Sequence, residues 1–225
     1  VSPWDAPLAG YGDQLVAGLL LTLEVSISSY AIGSVFGLLG AAAQLSRWSS
    51  LRFCADLYTT LVRALPELLL VLLAFYLLAA RVEQFGVVVN PFAVAVTALG
   101  FIQGAYITEV LRAAVLAIPR GQREAAQALN LRRVTYLHRI VAPQALRHAL
   151  GGLGNIWLNA TKDASLISVL GIFADVLKVS SLAAAATKRY VFFYAVAGAC
   201  FLALTLVSMA LLERLRRQLN RAPIA

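Results

Sequence analysis

The feature that most restricts this chain is the apolar run from Gln14 to Ala43, interrupted by Glu24 and by Ser26, Ser28 and Ser29. It exceeds the roughly 20 residues that a helix needs to cross the hydrocarbon layer of a bilayer, so it should tilt or project. A soluble domain of this length would need a polar rind, and a chain that is 60% hydrophobic and 13% charged does not supply one. An ordinary soluble domain carries about a quarter charged residues. The net charge of +8 would suggest nucleic acid in a soluble protein. In this context it reads as Arg and Lys placed beside lipid headgroups, with the bilayer and not nucleic acid as the partner.

Further apolar stretches at about 53–80, 91–118, 155–177 and 190–212 predict an all-α membrane protein with five transmembrane helices in a single domain over 1–225. Pro66 interrupts the second span, removing a backbone donor and clashing with the preceding turn, so a kink is expected there. Residues 81–90 read as a loop, and Pro91 suits the first turn of the third helix. Pro119 and Gly121 stop that helix, while Gly151, Gly152 and Gly154 read as a loose joint before the fourth. Basic residues divide unevenly between the two sides. Arg47, Arg52, the arginines from Arg112 to Arg147, and Arg214, Arg216, Arg217 and Arg221 share one side; Arg81, Lys178, Lys188 and Arg189 lie on the other. The rich side is expected to be cytoplasmic, with the N-terminus outside and the C-terminus inside. Val1 to Tyr11 is short, holds Pro3 and Pro7 and has no Lys or Arg, so no secretory signal is expected in it.

The longest polar segment, 119–150, lies between the third and fourth spans on that cytoplasmic side. Gln122 to Leu129 predicts a short helix rich in alanine. Asn130 is suited to end it, because Asn tolerates the left-handed conformation common just past a helix. A second helix over about Arg132 to Val141 is basic on one side, with Val134, Leu137 and Ile140 on the other, and Pro143 starts a third. Such a pad serves either as an amphipathic interface helix or as a docking surface for a cytoplasmic partner.

The order of residues bears on that choice. Glu124-Ala125-Ala126, a turn residue at Asn130, and Ile140 with Pro143 resemble the EAA loop of ABC importer permeases, in which Gly121 also falls. Asn130 stands where that family has Gly, and Ala142 where it has Leu. Arg63-Ala64-Leu65-Pro66-Glu67, Gly104-Ala105-Tyr106 with Glu109 and Arg112, and Lys162-Asp163-Ala164-Ser165-Leu166 resemble further segments of the polar amino-acid permeases, most closely the histidine/arginine/lysine/ornithine and opine branch. The resemblance implies a permease subunit in a bacterial inner membrane, without catalysis of its own. It also implies a coupling helix that docks on a dimer of ATP-binding cassette subunits, which would hold the ATP and Mg. A second related permease, or a second copy of this chain, and a periplasmic amino-acid-binding protein would complete the system.

A charge at the bilayer centre costs at least about 2.5–3.5 kcal/mol on insertion scales, so intramembrane ions usually have a partner or a pathway. Glu24, Glu67 and Asp163 fall at comparable depth, counting about 1.5 Å per residue. They are candidates to surround a cationic substrate, with Gln103, Tyr106 and Ser165 supplying neutral hydrogen bonds. Internal pairing is the competing reading: Glu67 with Arg63 one turn away, Glu109 with Arg112, Asp163 with Lys162 or another helix, and Glu24 as a buried, hydrogen-bonded acid. No phosphate loop is present, and Cys54, Cys200, His138 and His148 lack metal-ligand or nucleophile spacing. A membrane scaffold that recruits a cytoplasmic factor through its basic loop remains the alternative class, and an integral membrane enzyme a weaker one.

Overall fold

The structure, a computed structural model, describes residues 8, 10–84 and 90–221. Trp4 and Asp5 of the polar lead, and residues 85–89 of the loop after the second span, lie outside these. Among the described residues the chain is helical throughout, with no strand. The elements are α1 (Gly12–Gln44), α2 (Ser49–Ala64), α3 (Glu67–Gln84), α4 (Pro91–Leu116), α5 (Arg120–Ala128), α6 (Arg133–Tyr136), α7 (Ala142–Asp163), α8 (Val176–Thr187) and α9 (Tyr190–Arg221). A π-helical segment, Leu137–Val141, joins α6 to α7, and a 3₁₀ segment, Ala164–Leu170, follows α7.

The bundle is built on the packing of α1 against α4. Along α1 the buried positions include Thr22, Ser26, Ser29, Gly33, Gly37 and Ala41, one small residue per turn. Their neighbours on α4 include Gly100, Gly104 and Thr108. A Cβ on Gly33 would meet the Gly100 carbonyl oxygen at 3.0 Å and the Gln103 Cβ at 3.1 Å; one on Gly104 would meet the Phe36 Cβ at 2.5 Å. Lipid tails are as apolar as leucine, so membrane helices gain little by hiding apolar surface from each other. They associate through close van der Waals contact, which small residues permit. Hydroxyls along the seam are satisfied within it: Thr108 donates to Gly104 at 2.8 Å, and Ser26 to Thr22 at 2.6 Å.

Two spans expected to be continuous are broken. The stretch predicted as one span over 53–80 is two helices, α2 and α3, bent by 112° across Leu65 and Pro66. The ring of Pro66 pushes the preceding residue out of the helical region, and Leu65 is extended at φ −100°, ψ 148°. The predicted kink is therefore a change of direction. Helix α3 also runs on to Gln84, through residues expected to be loop.

The stretch expected as a span over 155–177 is broken as well. Helix α7 begins at Ala142, with Pro143 in its first turn, and passes straight through Gly151, Gly152 and Gly154. Those glycines do not form a joint, and two of them are packing positions: a Cβ on Gly152 would meet Val110 at 2.7 Å, and one on Gly154 would meet Leu212 at 3.3 Å. The helix ends at Asp163, tightens into the 3₁₀ segment and stops at Gly171, whose φ of 74° is left-handed. Asp175 then caps α8, its side chain accepting from the Leu177 and Lys178 amides. Among the described residues α1, α4 and α9 are long and apolar enough to cross a membrane, and the bent α2–α3 pair makes a fourth if taken as one span.

The core joins these pieces. Val25 of α1, Val62 of α2, Val71 of α3, and Ala95, Leu99, Ile102 and Ala105 of α4 surround Ala164 and Ile167 of the 3₁₀ segment. Tyr30 ties α1 to α7, donating to the Leu153 carbonyl at 3.0 Å and stacking edge-on against Trp157. Gly37→Leu, which drives a side chain into Ile107, should destabilise the bundle by about 1–3 kcal/mol. Gly151→Ala, which meets nothing within 4 Å, should stabilise its helix by roughly 0.5–1 kcal/mol. Thermal unfolding of the two variants in detergent checks this, and equal behaviour would count against the seam.

Candidate functional site

The two helix breaks bring acids together. Glu67 opens α3 immediately after the Pro66 bend, and Asp163 closes α7 where the 3₁₀ segment begins. The Glu67 carboxyl stands close enough to both Tyr106 of α4 and Asp163 to act on each of them. The charge of Lys162 also acts on Asp163, and the Arg63 guanidinium carbon lies 5.8 Å from the centre of the Tyr106 ring. A carboxylate is stabilised at the start of a helix, where Glu67 sits. The end of a helix, where Asp163 sits, carries the negative pole and favours a cation instead. Two carboxyl groups facing each other at such a place repel, and a cation between them relieves that repulsion. The arrangement is suited to hold an ammonium or guanidinium.

One turn further along α4, Glu109 gathers a second polar group. Gln44 of α1 donates to it at 3.0 Å and to Thr59 of α2 at 3.2 Å. Arg63 approaches it at 3.8 Å and Arg112 at 3.7 Å. The pairing of Arg63 with Glu67 that sequence spacing allows does not form as a salt bridge. Those residues would be one turn apart on a continuous helix, and the 112° bend between them leaves Arg63 facing Glu109.

The other candidates lie elsewhere. Glu24 is exposed on α1, on the face away from the α4 seam, and does not join Glu67 and Asp163. Gln103 is 2% exposed, with neither amide atom hydrogen-bonded. Ser165 donates to the Lys162 carbonyl at 2.6 Å. Two polar residues were not singled out from sequence. Gln44 has no local signal, because its partners are remote in the chain. Asp175, fully buried, accepts from Ser168 at 2.5 Å as well as capping α8. An Asp just before the apolar stretch that begins at Val176 was its available cue.

The second surface is the segment after α4. Helix α5 is exposed except at Ala126, so Gly121, Glu124 and Ala125 are open. It closes in a Schellman motif: Leu131 donates to the Ala126 carbonyl at 2.9 Å and Asn130 to Gln127 at 2.9 Å, with Asn130 left-handed at φ 49°. Beside it Leu129, Val134 and Leu137 are 72%, 77% and 54% exposed, an apolar patch on a polar pad. The helix expected over Arg132 to Val141 is one α turn followed by the π segment. Pro143 has no amide to give the Arg139 carbonyl, and the Ala142 amide reaches back five residues to Leu137. Ile140 lies half-buried in this wide turn, beside the exposed Pro143.

Broken helices that bring acids together, with a capped helix projecting from the bundle, suit a transport subunit. The sequence profile of the binding-protein-dependent transport system inner membrane component family matches residues 33–221, and the chain belongs to that family as a permease subunit of an ABC importer. It is 43% identical to the nopaline transport system permease protein of Agrobacterium fabrum, over 89% of this chain and 88% of the relative. To the histidine/lysine/arginine/ornithine transport system permease protein of Escherichia coli it is 40% identical, over 94% and 95%. A solved amino acid ABC transporter with histidines superposes with a TM-score of 0.84 at 28% identity, over 97% of this chain and 100% of the other. The inward-facing MetNI methionine ABC transporter shares the fold at 16% identity, with a TM-score of 0.79 over 94% and 98%.

The left-handed cap makes a prediction for the projecting helix. Asn130→Gly should leave it intact, whereas Asn130→Val should cost about 1–2 kcal/mol of strain. Uptake driven by the whole transporter checks this: the glycine variant should transport normally and the valine variant poorly at equal membrane abundance.

Proposed function

We propose that this chain carries a cationic amino acid or opine across a bacterial inner membrane, with the substrate's positive group held between Glu67 and Asp163 beside Tyr106. The observation that carries the reading is that Glu67 acts on both Asp163 and Tyr106 at a double helix break. Irregular backbone at membrane depth is tolerated where it lines a cavity or pathway, and discontinuous helices mark binding sites in other transporters. The printed substrates of the relatives agree: nopaline for one, and histidine, lysine, arginine and ornithine for the other. Gln103, whose buried amide is unpartnered, and Ser165 would offer neutral hydrogen bonds once the helices part. In this reading Glu24 faces a neighbouring subunit or the pathway.

The chain would act with three kinds of partner. A dimer of ATP-binding subunits, holding ATP and Mg, docks under α5, where Glu124, Ala125 and the apolar Leu129 and Val134 are exposed. A second permease, related or identical, closes the pathway, and a periplasmic binding protein delivers the substrate from the opposite side. Five membrane crossings, with α7 through α8 as the fourth, place the N-terminus outside and the arginine-rich α5–α7 face in the cytoplasm. Closure of the ATPases then moves α5 and the π turn, and through α7 the Asp163 end of the site.

Glu67→Gln and Asp163→Asn should each weaken binding of a cationic amino acid by about 10- to 100-fold, the range for loss of a charged hydrogen-bond partner. Competition by arginine, lysine, histidine and ornithine for uptake into whole cells measures this, and unchanged profiles in both variants would sink the site. A membrane scaffold would instead purify without ATPase activity that responds to loaded binding protein.

A further inference from the structure

Arg63 occupies an unusual position for an intramembrane cation. It stands in the last turn of α2, one step before the bend, between an acid and a tyrosine on neighbouring turns of α4. On one side is Glu109, 3.8 Å from its guanidinium; on the other is Tyr106, whose ring centre is 5.8 Å away and on which Glu67 acts. Glu109 does not depend on Arg63 for its own place, since Gln44 donates to it at 3.0 Å and Arg112 approaches at 3.7 Å. The Arg63 side chain is 45% exposed, so its long stem has room to swing. Nothing it touches grips it bidentately at hydrogen-bond distance, as a purely structural arginine would be gripped.

We propose that Arg63 is a tethered counter-cation that sets the affinity of the acidic site: Glu109 parks its guanidinium beside the Tyr106–Glu67–Asp163 group and keeps it from occupying the place the substrate's own cation takes. This rests on reading that group as the substrate site. An arginine released from Glu109 has a second carboxyl to turn to in Glu67, four residues along its own chain and acting on the same Tyr106. A site occupied by a tethered competitor is open to substrate only for the fraction of time that the competitor is out, and apparent affinity falls by that fraction. Arg63 therefore acts through charge on ligands it need not touch, and it is a positioning and selectivity residue.

Equilibrium binding of radiolabelled L-arginine to the detergent-solubilised transporter, permeases and ATPases together and without binding protein, tests this directly. Arg63→Gln removes a competitor that Glu109 already holds out for much of the time and should tighten binding by up to about twofold, whereas Glu109→Gln should weaken it by about tenfold as Arg63 moves in. The double variant Arg63→Gln/Glu109→Gln should bind like Arg63→Gln alone, and Arg63→Lys like the unaltered protein. A merely structural ion pair cannot make the loss of Arg63 improve affinity, nor make the second substitution rescue the first. Weaker binding in Arg63→Gln, as expected if the guanidinium held the substrate's carboxylate, overturns the proposal, and so does a double variant no better than Glu109→Gln. If Glu109→Gln fails to accumulate in the membrane, the sign of the Arg63→Gln effect decides alone. Should Glu67→Gln and Asp163→Asn leave binding unchanged, or the unaltered transporter bind no L-arginine, the site reading fails. If they weaken binding while Arg63→Gln does not strengthen it, only the role of Arg63 fails.

Discussion

The close approach of α1 and α4 is the contact on which the rest of the bundle depends. With Gly33 against Gly100 and Gly104, and Gly37 against Ile107, the two backbones come nearer than any larger side chain would allow. That proximity brings the Gln44 end of α1 within reach of Glu109 and carries Tyr106 to the bend between α2 and α3. It also leaves Gln103 enclosed without a hydrogen-bond partner. An unsatisfied buried amide costs about 1–3 kcal/mol, so the seam is closely packed but leaves one polar side chain unsatisfied.

Around that seam, function follows from where helices stop. A continuous membrane helix satisfies all of its interior backbone groups and offers a ligand only side chains, whereas an interrupted one exposes helix ends with their partial charges. Pro66 makes one such end and the turn after Asp163 makes the other. The 3₁₀ segment that follows Asp163 is itself part of the core through Ala164 and Ile167, and Ser168 and Asp175 fasten it to α8. Asp163 is thus mechanically continuous with α8 on one side. Through α7 and the π turn at Leu137–Val141 it is continuous with α5 on the other. A wide turn in the middle of such a lever is a natural place for it to give.

Much of this was readable from composition and spacing. Long apolar runs required membrane helices, Pro66 required an interruption, and Asn130 marked the end of a short exposed helix, because each of those effects is local. The order of Glu124-Ala125-Ala126, Pro66-Glu67, Tyr106 with Glu109, and Lys162-Asp163 pointed to the family. The spans themselves were less legible. Hydropathy does not distinguish a bent span from a straight one, nor a glycine that loosens a helix from a glycine that lets another helix approach. Gly152 and Gly154 were of the second kind, because Val110 and Leu212 happen to lie over them.

The sequence by itself determined the solvent of this protein, its helical character and the residues able to carry charge within the membrane, since these follow from the chemistry of single residues and their near neighbours. Only the tertiary structure decided which of those charges meet. Arg63 turned from Glu67 to Glu109 because a proline redirected the helix between them, and Glu67 met Asp163 because two breaks distant in the chain fold to one place. Glu24, alike in charge, was left on the far face of α1. Helical periodicity states which side of a helix a residue occupies, and only packing states what stands opposite.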